Sequence, residues 1–289
     1  MKRRFLLLIA FALFLGGALY LTKRPTLPAP GVRPAAPATA RRIASLSPAI
    51  TDTVVALGAE SSLVLVSDYC HTTDLPRAGT IFTPHFERIA STRPDLIIAT
   101  QVQGSPDQAL ERLAPLLSLP WLSLDDVVSS TRKVGQAVQR AREADLLAQR
   151  LTRELGAKAP QGAPRVLALM GPANEDRVGY YYIKDTSLHG RLLTASGYQN
   201  AMTTAPTLGQ PHLSVEQVLR VNPDAILVLQ DAPATGPLPL SGLSPLDAVR
   251  NRRVRVLSRP GILSMGPEIL DIRRLVQETL DPLFRETKP

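Results

Sequence analysis

The sequence predicts an α/β fold of two lobes joined by a helical segment. In both halves of the chain, short apolar strands alternate with amphipathic helices, the pattern typical of parallel βαβ units. One helix–turn–strand pattern occurs once in each half. Between the halves, residues 125–155 contain one glycine, Gly135, and no proline. These three observations predict two similar α/β lobes on either side of a helical connection.

The first half predicts four strands separated by helices. The predicted strands are residues 42–47, 63–67, 95–100 and 120–124. The predicted helices are residues 48–57, a helix around Glu87, and residues 105–117. We therefore assign residues 42–124 to an N-terminal α/β lobe.

The second half repeats this plan after the connection. The predicted strands are residues 165–170, 225–230 and 253–258, and the predicted helices are residues 187–197, 244–251 and 267–284. In the connecting segment, residues 125–160, leucines recur at helical spacing at positions 147, 151 and 155. The pattern predicts one helix over residues 142–157, which would hold the lobes at a nearly fixed separation. Residues 161–289 are assigned to the C-terminal α/β lobe.

The N-terminus predicts export from the cytoplasm. Lys2-Arg3-Arg4 precedes an uncharged run of 17 apolar residues, which is typical of an export signal. A small-residue cleavage site does not follow the run, so an uncleaved membrane anchor within residues 1–24 is favoured over a cleaved signal peptide. No cysteine follows the run, which excludes lipoprotein processing. Residues 25–41 are proline-rich and predict an extended linker between membrane and body.

The charge distribution argues against a nucleic-acid partner. The chain has 33 basic and 25 acidic residues and a formal net charge of +8. Residues 1–42 carry eight of the basic residues and no acidic ones, which leaves the body with 25 of each. The basic balance therefore belongs to the leader, whereas a nucleic-acid-binding surface would place it on the body.

No motif of a catalytic or cofactor-binding protein is present in the sequence. Phosphate-binding glycine loops, the dinucleotide-binding G-x-G-x-x-G and the G-x-S-x-G elbow are all absent. The four histidines lack the close spacing of a metal motif and are expected on exposed loops. Cys70 is the only cysteine, so no internal disulfide forms, and it is expected to be buried. We therefore expect neither an enzyme nor a bound metal or cofactor.

The repeated pattern places a carboxylate at the same position in each half. "HFERIASTRPDLIIAT" and "LSVEQVLRVNPDAILVL" contain Glu87 and Glu216, respectively. Each glutamate precedes an apolar pair by two and three residues and a Pro-Asp pair by seven and eight. Solvated helix positions would account for both. The repetition instead suggests one role carried out twice.

Several residues near strand ends are candidates for contact with a ligand. "SLSPAIT" places Ser47 at a helix N-cap and Pro48 in the first turn, directly after a strand. The carboxyl ends of strands in open α/β sheets are where ligands bind. Aromatic residues make up 4% of the chain, and Tyr69, Phe82 and the cluster at 180–182 lie at the same kind of position. The expected site is therefore a cleft at these strand ends.

Residues 42–285 resemble the substrate-binding proteins of ATP-binding-cassette (ABC) importers for cobalamin, ferric siderophores and haem. The resemblance rests on five segments in family order, with the cobalamin binders most similar through "SPAIT" and "SDYC". It implies two Rossmann-like lobes with parallel-type central sheets, joined by a single long rigid α-helix, with the ligand in the cleft between them. The five segments are "RIASLSPAITDTVVALG", "LVLVSDYC", "HFERIASTRPDLIIA", "SLHGRLLTASGYQN" and "LSVEQVLRVNPDAILVL".

The resemblance also implies roles for individual residues. Glu87 and Glu216 match the acidic residues that dock each lobe onto arginines of the importer's membrane subunits. Several cobalamin binders carry aromatic residues where this chain has Ile81, Thr100 and Gln210. The matching ligand-binding positions, with the neighbouring aromatic Phe82, are Pro48, Ala49, Tyr69, Ile81, Phe82, Thr100, Tyr181, Gln210 and Met265.

The expected function is capture of a metal chelate outside the cytoplasmic membrane and delivery to an ABC importer. Cobalamin or a related corrinoid is the first expectation, and a ferric siderophore or haem is the alternative. For haem, Tyr69, His71 and Tyr181 are candidate axial ligands. An exported α/β enzyme is a remote third possibility. The protein is expected to be a periplasmic monomer that contacts the permease and no nucleic acid.

Overall fold

The computed structural model of the 289-residue chain describes residues 42–70, 75–171, 180–203, 212–231, 240 and 242–285. The predicted anchor and linker, residues 1–41, lie outside the described residues. Within the described ranges, no helix combines the length and the apolar character needed to cross a membrane.

The N-terminal lobe is a parallel sheet with helices packed on it. Within the described residues the sheet has four strands in the order β2-β1-β3-β4, and every neighbouring pair is parallel. The strands are β1 (Ile43–Ser45), β2 (Leu63–Val66), β3 (Leu96–Thr100) and β4 (Leu116–Leu119). The helices are α1 (Pro48–Ala56), α2 (Phe86–Ser91) and α3 (Asp107–Glu111). The predicted order of elements is confirmed.

The last strand of this lobe begins earlier than predicted. Strand β4 occupies Leu116–Leu119, so the prediction of a strand at 120–124 and of a helix reaching residue 117 is wrong. The reason lies in two prolines. Pro115 disfavours helix at the residue before it, and Pro120 cannot donate to a neighbouring strand. The apolar residues between the two prolines therefore form the strand.

The C-terminal lobe is a mixed sheet. Strands β10, β9, β5 and β7 are parallel, and β6 and β8 pair antiparallel beyond β5. The strands are β5 (Arg165–Met170), β6 (Tyr180–Tyr182), β7 (Gln199–Asn200), β8 (His212–Leu213), β9 (Ala225–Gln230) and β10 (Val254–Ser258). The helices are α6 (Leu188–Ala195), α7 (Val215–Val221), α8 (Asp247–Arg250) and α9 (Ile269–Arg285).

The connection between the lobes is helical, as predicted, and the helix predicted over residues 142–157 is present, but a second helix precedes it. The connection consists of α4 (Leu124–Ala137) and α5 (Ala141–Leu155), which pack against each other. Gln139, between them, has φ of 57°, a left-handed conformation that ends the first helix. Helix α4 packs on α1 of the N-terminal lobe, and α5 packs on α6 of the C-terminal lobe. Each lobe thus contributes one helix to a helical hairpin.

Small residues allow this hairpin to close. A Cβ added to Gly135 would lie 2.1 Å from the Cβ of Ala144, so any side chain at 135 would push the helices apart. Ser123 and Asp126 form a capping box at the start of α4, which satisfies two otherwise unpaired backbone N–H groups. Arg132 and Asp145 add an ion pair of 2.7 Å between the helices.

One apolar core runs through both lobes and the hairpin. The cluster contains Ile50 and Leu96 of the N-terminal lobe, Leu151 of α5, and Val166 and Ile269 of the C-terminal lobe, all buried. A continuous core of this kind resists rotation of one lobe against the other. The two lobes therefore form a stiff frame.

The predicted repeat is confirmed, and it includes an arginine that was not foreseen. Arg42, directly before β1, donates its backbone N–H to Asp95 Oδ2 at 3.1 Å. Its guanidinium donates to the carbonyl oxygens of Thr92 at 2.6 Å and Arg93 at 3.2 Å. Arg93 has φ of 44°, and its left-handed backbone turns the chain from α2 into β3.

Arg165 makes the same contacts in the C-terminal lobe. Its backbone N–H donates to Asp224 Oδ2 at 2.8 Å, and its guanidinium donates to the carbonyl oxygens of Val221 at 3.1 Å and Asn222 at 3.4 Å. Asn222 has φ of 41°. In both lobes a cation thus lies at the negative end of the helix dipole, next to the start of a central strand.

Candidate functional site

The candidate site is a cleft at the carboxyl ends of the strands, between the two lobes. A cavity of about 190 Å³ is lined on the N-terminal side by Ala49, Thr100 and Trp121, among others, and on the C-terminal side by Leu263 and Met265. Thr100 ends β3, and Ala49 lies in the first turn of α1 directly after β1. The lining is mainly apolar, as expected for a small-molecule site.

A second cavity of about 400 Å³ continues the cleft, because Pro48, Leu263 and Ser264 line both. Tyr69 lies at this cavity with 68% of its surface exposed. Cys70 also lines it but is itself buried, as predicted. Burial raises the pKa of the Cys70 thiol, so it is a poor nucleophile.

A loop of the C-terminal lobe, residues 259–268, contributes to the lining of both cavities; we call it the strap. Two of its contacts are with the N-terminal lobe. Trp121 Nε1 donates to the carbonyl oxygen of Met265 at 2.9 Å, and Ser264 Oγ lies 3.4 Å from Asp52 Oδ2. On its own lobe, the strap's Leu263 N–H donates to Asp231 Oδ1 at 3.3 Å. The strap therefore connects the two walls of the cleft.

His189 supports the strap from behind, and the prediction that it is exposed is wrong. It lies in the first turn of α6, is 7% exposed, and its Nε2 lies 2.9 Å from the carbonyl oxygen of Ile262. Burial lowers the pKa of His189, only partly opposed by the Ile262 carbonyl and the charge of Asp231. The neutral imidazole therefore donates to the strap. No local sequence pattern indicated this, because the contact joins residues far apart in the chain.

The start of α1 presents backbone N–H groups to the cleft. Ser47 occupies the N-cap position with extended backbone, as predicted, but its side chain makes no capping hydrogen bond. Pro48 in the first turn has no N–H to satisfy. Ser47, Pro48 and Ala49 line the smaller cavity, so the N-terminal end of α1 borders the cleft, where the first N–H groups of a helix favour a polar or anionic group.

Five of the nine predicted ligand-binding residues come together in the cleft: Pro48, Ala49, Tyr69, Thr100 and Met265.

The other four have different positions. Ile81 packs on the core cluster on the far face of the N-terminal sheet, and Phe82 is 59% exposed outside the two cavities. Tyr181 packs edge-on against His212, with ring centroids 5.5 Å apart, and lines neither cavity. Gln210 lies outside the described residues.

The sequence reasoning missed several residues that the structure places at the cleft. Trp121 and Leu122 follow β4 and line the smaller cavity, and Leu122 is 68% exposed. Asp68 and Asp231 line the larger one. Trp121 is the single tryptophan of the chain, which was an available signal. It was overlooked because the residue was assigned to a strand interior.

The cleft has a distinctive charge. Among the described residues that line the two cavities, none is a lysine or arginine, whereas Asp68 and Asp231 are acidic. Both carboxylates accept backbone hydrogen bonds, Asp68 from Gly79 at 2.9 Å and Asp231 from Leu263. Within the described ranges, no group of three or more histidine, cysteine or acidic side chains is arranged to hold a metal ion.

The repeated glutamates lie in the first turns of α2 and α7, on the same edge of each sheet as the cleft. The C-termini of both helices are bound by Arg42 and Arg165 at the amino ends of the strands, so the helix N-termini lie at the carboxyl ends. Glu87 is exposed, beside His85 and Phe86. Glu216 is also exposed and accepts from Ser214 Oγ at 2.7 Å, which lowers its pKa and keeps it charged.

A family model described as "periplasmic binding protein" matches residues 43–259. The chain is 27% identical over 236 residues to a vitamin B12-binding protein of Pectobacterium carotovorum, covering 77% of this chain and 79% of that protein. It is 26% identical over 230 residues to the putative ABC transporter substrate-binding lipoprotein YhfQ of Bacillus subtilis, covering 72% of this chain and 68% of that protein.

The fold is also that of solved binding proteins. A periplasmic haem-binding protein from Pseudomonas aeruginosa superposes with a TM-score of 0.69 at 24% identity, covering 84% of this chain and 93% of that one. The siderophore-binding protein BauB superposes with a TM-score of 0.66 at 17% identity, covering 86% and 94%. At these identities the structures establish the fold.

Proposed function

Because the chain belongs to the periplasmic binding protein family, we propose that it captures a corrinoid, cobalamin or a close relative, and delivers it to an ABC importer. The family establishes the broader class: a non-enzymatic, extracytoplasmic substrate-binding component of an importer. The names of similar proteins support vitamin B12, haem and a siderophore as the candidate ligands. The choice among these ligands rests on the chemistry of the cleft.

The observation that carries the proposal is the absence of a cationic side chain among the described residues lining the cleft. Haem carries propionate carboxylates, and many ferric siderophores are anionic. Proteins bind such groups with arginine and lysine. Asp68 and Asp231 would instead repel them. A corrinoid presents neutral amide side chains around its ring and carries no carboxylate, and the single phosphodiester of cobalamin is balanced by the cationic cobalt centre, so the repulsion is smaller.

The polarity of the cleft also suits a corrinoid. Leu122 and Met265 offer apolar surface to the face of a large ring. Ser264, Gln101 and the free N–H groups of α1 offer hydrogen-bond partners for amides at the ring edge. No cofactor beyond the transported ligand is part of the proposal.

Delivery would use Glu87 and Glu216 as docking residues. Both are exposed, both lie in a first helical turn, and in each lobe the same arginine-based turn follows the helix that carries the glutamate. Two carboxylates on a stiff frame can register on two basic pockets of a permease, and an arginine–carboxylate pair is directional. We further propose that the protein works as a monomer tethered to the membrane by residues 1–24.

Haem is the second candidate, and one observation favours it. Tyr69 is 68% exposed at the larger cavity, so its phenol oxygen is accessible as an axial ligand to iron. His71, the other nearby candidate, lies outside the described residues. Tyr181 is less suited, because its ring packs on His212.

The test is a titration of the purified full chain with cyanocobalamin, haemin and a set of ferric siderophores, followed by visible absorbance and equilibrium dialysis. We expect saturable, one-to-one binding of cyanocobalamin at micromolar concentration or below. If the protein binds haemin and loses this binding in Tyr69→Phe, the ligand is haem rather than a corrinoid. Binding of a siderophore alone would reject both.

A further inference from the structure

Two carboxyl groups, one from each lobe, line a further cavity beside the strap. Asp52 belongs to α1 of the N-terminal lobe, and Glu268 directly precedes α9 of the C-terminal lobe. Both line a cavity of about 500 Å³ that shares Gly261 of the strap with the larger cleft cavity. This pair contributes nothing to the proposed ligand contacts, yet it bridges the same two walls.

Within the described residues, neither Asp52 nor Glu268 forms an ion pair. Arg150 lines the same cavity but donates to Glu154 at 2.8 Å. Asp271, the other charged lining residue, is paired with Arg274 at 2.9 Å.

The Cys70 thiol is close enough to Asp52 to feel its charge, and it is electrically neutral. Its pKa is raised, mainly by burial, with Asp52 itself contributing. Arg150 is thus the only cation among the described residues that line this cavity, and its ion pair is with Glu154 rather than with Asp52 or Glu268.

One carboxyl oxygen of the pair lacks a donor. Glu268 Oε1 is buried and, among the described residues, accepts no hydrogen bond. Gly266 leaves room for the same side chain, since a Cβ there would lie 2.5 Å from Glu268 Oε2. Asp52 receives one long contact, 3.4 Å from Ser264 Oγ. A proton held between the two carboxyl groups would supply the missing donor.

The electrostatics agree with this arrangement. Burial, followed by the charge of Glu268, raises the pKa of Asp52 to about 7, and a hydrogen bond between the two carboxyl groups also raises it. The bond from Ser264 acts in the opposite direction and is outweighed. Asp52 therefore keeps its proton from acidic to near-neutral pH.

We propose that Asp52 and Glu268 share one proton across the lobe junction and so act as a pH-dependent latch on the strap. With the proton present, the two walls are held together through Asp52, Glu268 and Ser264. Without it, two carboxylates face each other and the strap loosens. Because Ser264 and its neighbour Met265 also line the cleft, loosening changes the shape of the binding site. The proposal holds whichever ligand binds.

The sign of the effect follows from linkage. The unfolded chain releases the Asp52 proton near its ordinary pKa of 3.8, whereas the folded chain keeps it up to about 7. Between these values the folded state binds more protons, so folding stability falls as pH rises, and above pH 7 the loss is complete. Each pH unit in this window changes the unfolding equilibrium constant by about tenfold for one proton.

The test compares the full chain with Asp52→Asn and Glu268→Gln in chemical denaturation from pH 4 to 8, without ligand. We expect the stability of wild type relative to Asp52→Asn to fall steadily from pH 4 to 7, by up to about tenfold per unit in the equilibrium constant. In Glu268→Gln the pH range over which stability falls should become narrower, because the negative charge that raises the pKa of Asp52 is gone. The exposed Glu143→Gln is the matched control and should follow wild type.

A second readout does not depend on the variants folding well. Infrared difference spectra of wild type should contain a protonated-carboxyl band at pH 6 that disappears by pH 9. Absence of that band, or identical pH dependence of wild type and Asp52→Asn, would overturn the latch. Failure of all ligand titrations would overturn the proposed function and leave these measurements unaffected.

Discussion

Trp121 Nε1 donates a hydrogen bond of 2.9 Å to the carbonyl oxygen of Met265, and so joins the end of the N-terminal sheet to the strap of the C-terminal lobe. Trp121 is 2% exposed and belongs to the apolar core that runs through both lobes. One side chain therefore belongs to the shared core and also fixes the position of the strap. The shape of the cleft thus depends on contacts between the lobes as well as on each lobe itself.

Trp121→Phe should weaken this junction. The variant leaves the Met265 carbonyl without its donor and removes part of a buried ring, so we expect the free energy of unfolding to fall by about 1–3 kcal/mol. The measurement is denaturation followed by circular dichroism, since the variant has no tryptophan. Leu122→Ala, at a position 68% exposed, is the control and should change stability by less than about 0.5 kcal/mol. Equal effects of both changes would mean that the bond contributes nothing.

The arginine-based turns of the two lobes should contribute equally to the free energy of unfolding. Asp95→Ala and Asp224→Ala each remove the acceptor of a backbone N–H, that of Arg42 and Arg165 respectively. We expect each variant to lose about 1–2 kcal/mol of folding free energy in chemical denaturation. Gln149→Ala, at an exposed position in α5, should be neutral. A loss confined to one of the two turns would contradict their equivalence.

His189 should make the protein sensitive to acid. Burial lowers its folded-state pKa below the ordinary 6.5. Below pH 6.5 the unfolded chain takes up a proton that the folded chain resists, so stability falls as pH decreases and is fully present above 6.5. His189→Gln should lack this acid-side loss. The comparison is best made in the Asp52→Asn background between pH 5 and 7.5, where the opposite slope of Asp52 is removed. An unchanged acid-side slope in His189→Gln would assign the loss to another group.

Mutation of the two docking glutamates should impair transport without changing the affinity for the ligand. Glu87→Ala with Glu216→Ala should reduce corrinoid uptake by cells about tenfold or more, because each change removes a directional charge pair with the permease. Affinity for the ligand should stay within about twofold of wild type, since neither residue lines the cleft cavities. Glu143→Ala, exposed on the connecting hairpin, controls for loss of surface charge. A collapse of affinity in the double variant would place the glutamates in the binding site instead.

Much of the fold could be predicted because its signals are local. The strands of both lobes are short apolar runs bounded by turn residues, and the repeat around Glu87 and Glu216 is written in consecutive residues. The limits of β4 are also set locally, by Pro115 and Pro120, but the apolar residues after Pro120 favoured a strand at 120–124 in the prediction. Trp121 was therefore taken as part of a strand and not as a candidate site residue.

The remaining features depend on contacts between distant parts of the chain. The packing of α4 against α5 depends on the close approach of Gly135 to Ala144, a helix–helix contact that the leucine spacing does not reveal. His189 and Ile262 meet only once the strap has folded over α6. The pairing of Asp52 with Glu268 likewise arises at the lobe junction, where neither residue has a distinctive sequence context. Such positions are decided by tertiary packing rather than by pattern.

The most direct test of the account is the affinity of the full chain for cyanocobalamin, by equilibrium dialysis, in wild type and in Thr100→Trp. Thr100 lines the smaller cleft cavity of about 190 Å³, and an indole at this position would fill much of that space. We predict micromolar or tighter binding in wild type and a loss of at least about tenfold in the variant, with its fold intact by circular dichroism. Binding that is equal in the two proteins, or absent from wild type, would contradict capture of a corrinoid in this cleft.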